Sequence, residues 1–241
     1  MQLENHFADF NIFQPLLLYN IEELQNEVHH MDYDSKTSLL FVGCLNKTFS
    51  AKISNYFSKI KFLSSSTSTN KSKEEKGISQ LIVYNIIKNN SGEIHLEPLH
   101  SQFFQSEISF LKYFENKDGE ANNLLVIGFS NGTIDIFKIF VNESNNETRE
   151  FIEHLSTLKV HKRAIIGVAI NFTIGYVYSC AKENVLNISE LNYQSLMRSV
   201  NISKKELNNY FYDEENLRLY LTDEAGSIWI VDLMSSVRIF F

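Results

Sequence analysis

The chain is 241 residues long, with a hydrophobic share of 44%, 19 Phe and 11 Tyr, the composition of a folded, strand-rich protein and not of a disordered tail. Its formal charge of -7 argues against a broad nucleic-acid-binding surface, which needs clustered positive charge. Two cysteines do not make a disulfide framework, and no apolar run approaches the roughly 20 residues of a membrane-spanning helix.

The N-terminal stretch MQLENHFADFNIFQPLLLYN has no basic start and no small-residue cleavage site, so no secretory leader is read there and a cytoplasmic location is expected. Within it, residues 13–21 have the apolar character of a strand. The first clear pattern comes next: an apolar residue, two others, a second apolar residue, one other and a third, at Val28, Met31 and Tyr33. The same spacing returns at Ile108, Leu111 and Tyr113, at Ile165, Val168 and Ile170, and at Leu207, Tyr210 and Tyr212, which predicts four copies of one strand. A second apolar run follows each copy, at 39–43, 124–128, 176–179 and 217–222. In the later three copies a polar turn and a third strand come next. Gly132, Asn184 and Gly226 take the turn position, where positive φ is readily tolerated. The apolar pairs Ile134 and Ile136, Leu186 and Ile188, and Ile228 and Ile230 then show the period of two that marks a strand. Fourth strands are predicted at 94–100, 151–158, 196–202 and 237–241.

Opening positions recur after 57 and then 42 residues, the longer interval holding extended polar loops at 115–123 and 142–150. A base period near 42 residues with four strands per unit is the signature of propeller blades, placed here at 27–100, 107–158, 164–202 and 206–241. The first blade carries an insertion at 46–78, read as a tolerated loop expansion. Its Ser-rich core at 64–77, SSSTSTNKSKEEKG, holds too little apolar surface to fold and is expected to be disordered. Cys44 and Cys180 fall inside apolar runs and are expected to be buried free thiols.

The segments GFSNGTIDIFKI at 128–139 and TDEAGSIWIVDL at 222–233 resemble the ending of WD repeats, and His161, four residues before Ile165, stands where those repeats carry a histidine. The resemblance implies an all-β, WD-repeat-like β-propeller whose blades run from an inner strand outward. About four four-stranded blades are visible, fewer than the family's usual seven, so an incomplete propeller of that type is expected. Gly132, His161, Gly226 and Asp232 carry the repeat identity. Val160 replaces the glycine before the histidine, Leu24, Phe104 and Ser203 stand in the histidine position of the other copies, and Val231 replaces the tryptophan before Asp232. With these departures the hydrogen-bonded tie from histidine to aspartate is not expected, and the blades should depend on packing. The stretches 15–18, 127–134 and 160–164 also resemble the N-terminal half of endosomal proteins that join WD repeats to a FYVE zinc finger. That similarity implies a peripheral endosomal association through a phosphoinositide-binding finger that this sequence does not contain.

No GxxxxGK loop, HExxH helix or paired CxxC set occurs, so no catalytic residue, cofactor or metal is expected. His29 and His30 are adjacent on a strand and point to opposite faces, one packed and one solvated, which rules out a shared metal. The candidate contact residues are Lys162, Arg163, Lys204 and Lys205, in equivalent places just before two strand openings. In a WD-type propeller these loops form the narrow top face, where a small basic patch could receive an acidic or phosphorylated segment of a partner protein. A non-catalytic protein-interaction scaffold is the expected function. Because 237–241 already gives the last blade a fourth strand, the closing strand at 13–21 has no place within the chain, and closure by further chain or by self-association is expected.

Overall fold

The computed structural model describes residues 27–46, 78–88, 94–116, 123–140, 152–193, 195–234 and 238–240. The closing strand expected at 13–21, the 15–18 stretch and all but the two ends of the 46–78 insertion, including its core at 64–77, lie outside the described residues. Among the described residues every regular element is a strand, so there is no helix long and apolar enough to cross a membrane.

The strands form four four-stranded antiparallel sheets, each made of four consecutive strands in sequence order. Blade 1 holds β1 (Glu27–Asp34), β2 (Leu39–Leu45), β3 (Ser79–Lys88) and β4 (Ile94–Phe104). Blade 2 holds β5 (Ile108–Phe114), β6 (Asn123–Phe129), β7 (Thr133–Ile139) and β8 (Ile152–Lys159). Blade 3 holds β9 (Ile165–Asn171), β10 (Tyr176–Ala181), β11 (Val185–Glu190) and β12 (Leu196–Asn201), and blade 4 holds β13 (Leu207–Asp213), β14 (Arg218–Asp223), β15 (Ile228–Asp232) and β16 (Arg238–Phe240). This is the architecture of β-propeller blades, with each meander feeding the first strand of the next.

The odd spacing of the opening pattern has a structural cause. A strand alternates faces, so residues three apart should point to opposite sides. In each first strand the pairing register slips by one residue straight after the opening position, which makes His29, Ser109, Ile166 and Asn208 the extra residues of β-bulges. The bulge restores the opening residue to the face of the other two apolar positions. Ile108, Leu111 and Tyr113 accordingly join one core cluster with Phe41, Leu81 and Val83 of blade 1.

Each first strand packs on the first and second strands of the blade before it: β5 on β1 and β2, β9 on β5 and β6, and β13 on β9 and β10. One core cluster fills the joint between blades 1 and 2, and a larger one fills the joints on either side of blade 3. Tyr113 stacks on Phe41 with ring centroids 5.3 Å apart, and Phe110 meets Tyr210 edge to face at 5.8 Å. The Tyr212 hydroxyl donates to the Ile170 carbonyl at 3.0 Å. Glycines allow this approach: a Cβ on Gly128 would lie 2.6 Å from Ile165 Cβ, and one on Gly167 would lie 2.1 Å from the Tyr210 ring.

Cys44 and Cys180 are buried and free; burial pushes the Cys44 thiol up to about 11 and the Cys180 thiol higher still. Among the described residues no group of three or more His, Cys, Asp or Glu side chains is placed to hold a metal ion. Gly132 and Gly226 adopt positive φ, at 85° and 81°. Asn184 does not; its turn tightens instead through a Glu183 amide that donates to the Ala181 carbonyl at 2.6 Å.

Candidate functional site

The loops that enter blades 2, 3 and 4 and the turns that join second to third strands lie together on one face, stitched by a repeated set of backbone bonds. The residue just before each opening position offers its carbonyl to the adjacent turn: Ser130 N–H to Glu107 O at 2.9 Å, Lys182 N–H to Ala164 O at 2.9 Å, and Glu224 N–H to Glu206 O at 3.0 Å. Neighbouring blades are tied as well, since Leu207 N–H donates to Glu183 O at 2.7 Å. Gly132 sits directly beneath the loop that enters blade 3, where a Cβ would lie 2.4 Å from the His161 carbonyl oxygen. Glycine is required there both for its φ and for that approach.

Side chains reinforce the stitching, and this corrects the expectation that the blades depend on packing alone. The His161 side chain is fully buried, with Nδ1 3.2 Å from Glu183 Oε2 and Nε2 3.0 Å from Ser179 Oγ. Burial pushes its pKa below the usual histidine value, while the hydrogen bond and negative charge of Glu183 pull the other way. The lowered pKa favours the neutral ring at pH 7, with Nδ1 facing the Glu183 carboxylate and Nε2 facing both the Ser179 carbonyl at 3.2 Å and the Ser179 hydroxyl. Asn187 on β11 donates to the Val160 carbonyl at 2.6 Å and fixes the loop from below.

Blade 4 builds an equivalent tie from different residues. Ser203, in the histidine position, donates its hydroxyl to Asp223 Oδ2 at 2.5 Å. Asp223 also accepts the Trp229 indole N–H at 3.1 Å and the Ala225 and Ser227 amides at 2.9 and 3.0 Å. In blade 2 the tie is uncharged: Asn131 Nδ2 donates to Ser106 Oγ at 2.8 Å. Asp232, by contrast, caps the amide of Met234 at 2.9 Å. Phe104, in the histidine position of blade 2, is a core residue packed on Phe129 with centroids 5.1 Å apart.

On this face the four candidate cations have different surroundings. The Arg163 guanidinium bonds to the Glu206 carboxylate in the next loop and to the Lys182 carbonyl, so it joins the loop entering blade 3 to the loop entering blade 4. The backbone amide of Lys162 donates to Glu183 Oε1 at 2.7 Å and that of Lys205 to Ser203 Oγ at 2.9 Å. Lys162, Lys204 and Lys205 are exposed, and their ammonium groups have no ion-pair partner among the described residues. Glu183, Glu206 and Asp223, which organise the face, were not singled out in the sequence. For Glu183 and Asp223 the signal is a carboxylate 20 to 22 residues beyond the loop residue that it holds; Glu206, 43 residues from Arg163, has no such spacing.

Two clefts lined by described residues measure 260 Å³, between blades 1 and 2 by Phe104, Phe129 and Lys159, and 190 Å³, beside Tyr178, Met197 and Leu233. Both fall below the roughly 300 to 1,000 Å³ of typical small-molecule pockets. No family model and no curated protein sequence matches the chain. Solved structures do match. A chain from the crystal structure of a mitotic checkpoint complex is similar at 12% identity and a TM-score of 0.52, over 85% of this chain and 49% of that one. The computationally designed Ika4 protein is similar at 14% identity and a TM-score of 0.55, over 90% of this chain and 98% of that one. The designed Ika8 protein is similar at 13% identity and a TM-score of 0.50, over 84% and 45%. The chain thus spans about half the length of the first and third and nearly all of the second. These likenesses show the propeller fold.

Proposed function

We propose that the protein is a non-catalytic, WD-repeat-like interaction scaffold whose stitched loop face receives an acidic or phosphorylated segment of a partner protein. The observation that carries this reading is the contrast among the four cations. Arg163 holds two loops together, whereas the exposed ammonium groups of Lys162, Lys204 and Lys205 have no ion-pair partner among the described residues on the loops so fixed. Rigid loops offer their charges without a large ordering cost on binding. The ties of His161 to Glu183 and of Ser203 to Asp223 support the repeat assignment, because they do the work of a histidine-to-aspartate tie with other residues.

The test leaves Arg163 in place, since its loss would loosen the face itself. Replacing Lys162, Lys204 and Lys205 by Ser should weaken binding of a synthetic peptide of alternating phosphoserine and glutamate at least about tenfold, the loss of one charge-assisted hydrogen bond of about 1.5 kcal/mol. Binding by the unaltered protein should also weaken with added salt. Equal affinity of the triple variant and the unaltered protein would end this reading.

A further inference from the structure

We propose that the open face of blade 4 and the first strand of blade 1 are the two halves of one blade-to-blade joint, and that a second copy of this chain completes it. The internal joints define what each half contains. The near half is a first strand with its three apolar positions, and the far half is the first and second strands of the blade before. In blades 2, 3 and 4 the near-half positions are buried or nearly so: Ile108 is 3% exposed, Ile165 0% and Leu207 1%. The corresponding Val28, Met31 and Tyr33 of blade 1 are 38%, 65% and 48% exposed. Val42 and Cys44 on β2 are already buried, so the opening at this end is confined to β1, the strand that internal joints use for this half.

The far half is equally bare. On blade 3, Tyr178 and Leu186 are buried against blade 4 at 3% and 0% exposure. Pairing register aligns Tyr220 and Ile228 of blade 4 with them, and Phe211 with Ala169. Phe211 is 64% exposed and Ile228 62%, while Ala169 is fully buried. Phe211 and Tyr220 lie together, ring centroids 6.0 Å apart, as an aromatic floor that no strand among the described residues covers.

Register also specifies the contact. Tyr113 stacks on Phe41, and the residues in those two places at the open ends are Tyr33 and Tyr220. Tyr33 of one copy should therefore stack on Tyr220 of the other. A chain that carries both halves associates head to tail, and two copies that each offer both halves close into a ring of eight blades with no bare face. Closure removes from water two apolar patches of the kind that mark association surfaces. The joint is separate from the loop face proposed above, so either reading can fail without the other.

Sedimentation equilibrium of the 241-residue chain at micromolar concentration should give the mass of two chains. The mass of one chain, or an open-ended polymer, overturns the closed pair. Met31→Glu and Phe211→Lys alter exposed positions, so circular dichroism should show both variants folded. Each alone should weaken pairing at least about 30-fold, as for loss of a central interface anchor. Mixing the two should restore pairs, because a mixed pair has one unaltered joint and one in which Glu faces Lys. Failure to recover on mixing overturns head-to-tail pairing, and a symmetric contact of blade 4 on blade 4 would leave Met31→Glu paired. Tyr193→Ser, at a position 79% exposed on the turn between β11 and β12, should leave the mass unchanged; if it dissolves the pair as well, the joint is wrongly placed.

Discussion

Asp223 accepts the Ser203 hydroxyl, the Trp229 indole and two backbone amides, and these hydrogen bonds, the one from Ser203 foremost, hold its carboxyl down at about 2. A carboxyl depressed in the folded state contributes stability above its unfolded value of about 3.9 and loses that contribution as pH falls toward the folded value. Asp223→Asn should therefore flatten the acid limb: between pH 5 and 2 its melting temperature should drop less than that of the unaltered protein. Parallel curves would show that the Asp223 hydrogen bonds carry no such weight. His161 adds to acid sensitivity over a higher window, because burial disfavours its charged form and stability is lost as pH falls below the usual histidine value. His161 was legible in the sequence as a repeat marker. Its partner was not, because the position sought was the aspartate that ends the third strand, whereas Glu183 reaches it from the turn before that strand.

At the scale of the element, the blade joint rests on a size relation between two strands of different blades. Gly43 faces Ile108 with a virtual Cβ contact of 3.4 Å, Gly128 faces Ile165 at 2.6 Å and Gly167 faces the Tyr210 ring at 2.1 Å. Adding a methyl at the first position needs little movement, whereas at the other two it must push a first strand away. Gly128→Ala and Gly167→Ala should each destabilise by about 1–3 kcal/mol, the usual effect of overpacking a filled core, and Gly43→Ala by less. Urea unfolding would measure this order; a Gly43→Ala loss as large as the other two would remove the spacing argument. The opening pattern was readable without a structure because apolar positions repeat it four times. The reason for its three-residue first step was not, since a bulge is a property of pairing between strands and leaves no mark in one strand's composition.

At the scale of the molecule, stability in a repeat array is close to a sum of unit terms and nearest-neighbour joints. Blades 2 and 3 have a joint on each side; blade 4 has one within the chain. In the Phe211→Lys variant, held as a single copy, amides of β13 to β15 should exchange hydrogen faster than those of β6, β7, β10 and β11, read by mass spectrometry of peptic fragments. In the unaltered protein at high concentration that difference should shrink. Uniform exchange across the four blades in the variant would mean that the open face costs blade 4 nothing.

Local pattern was enough to establish the all-β class, the four-stranded unit and its four copies, because alternation and turn chemistry are written in neighbouring residues. Which residues tie loop to turn, and which apolar strands find cover, depended on the tertiary structure. Glu183 lies 22 residues from His161, Glu206 lies 43 from Arg163, and the bareness of Phe211 appears only beside the burial of Ala169 in the preceding blade. Such contacts join positions whose distance along the chain is set by loop length, and loop length carries no information about which side chains meet.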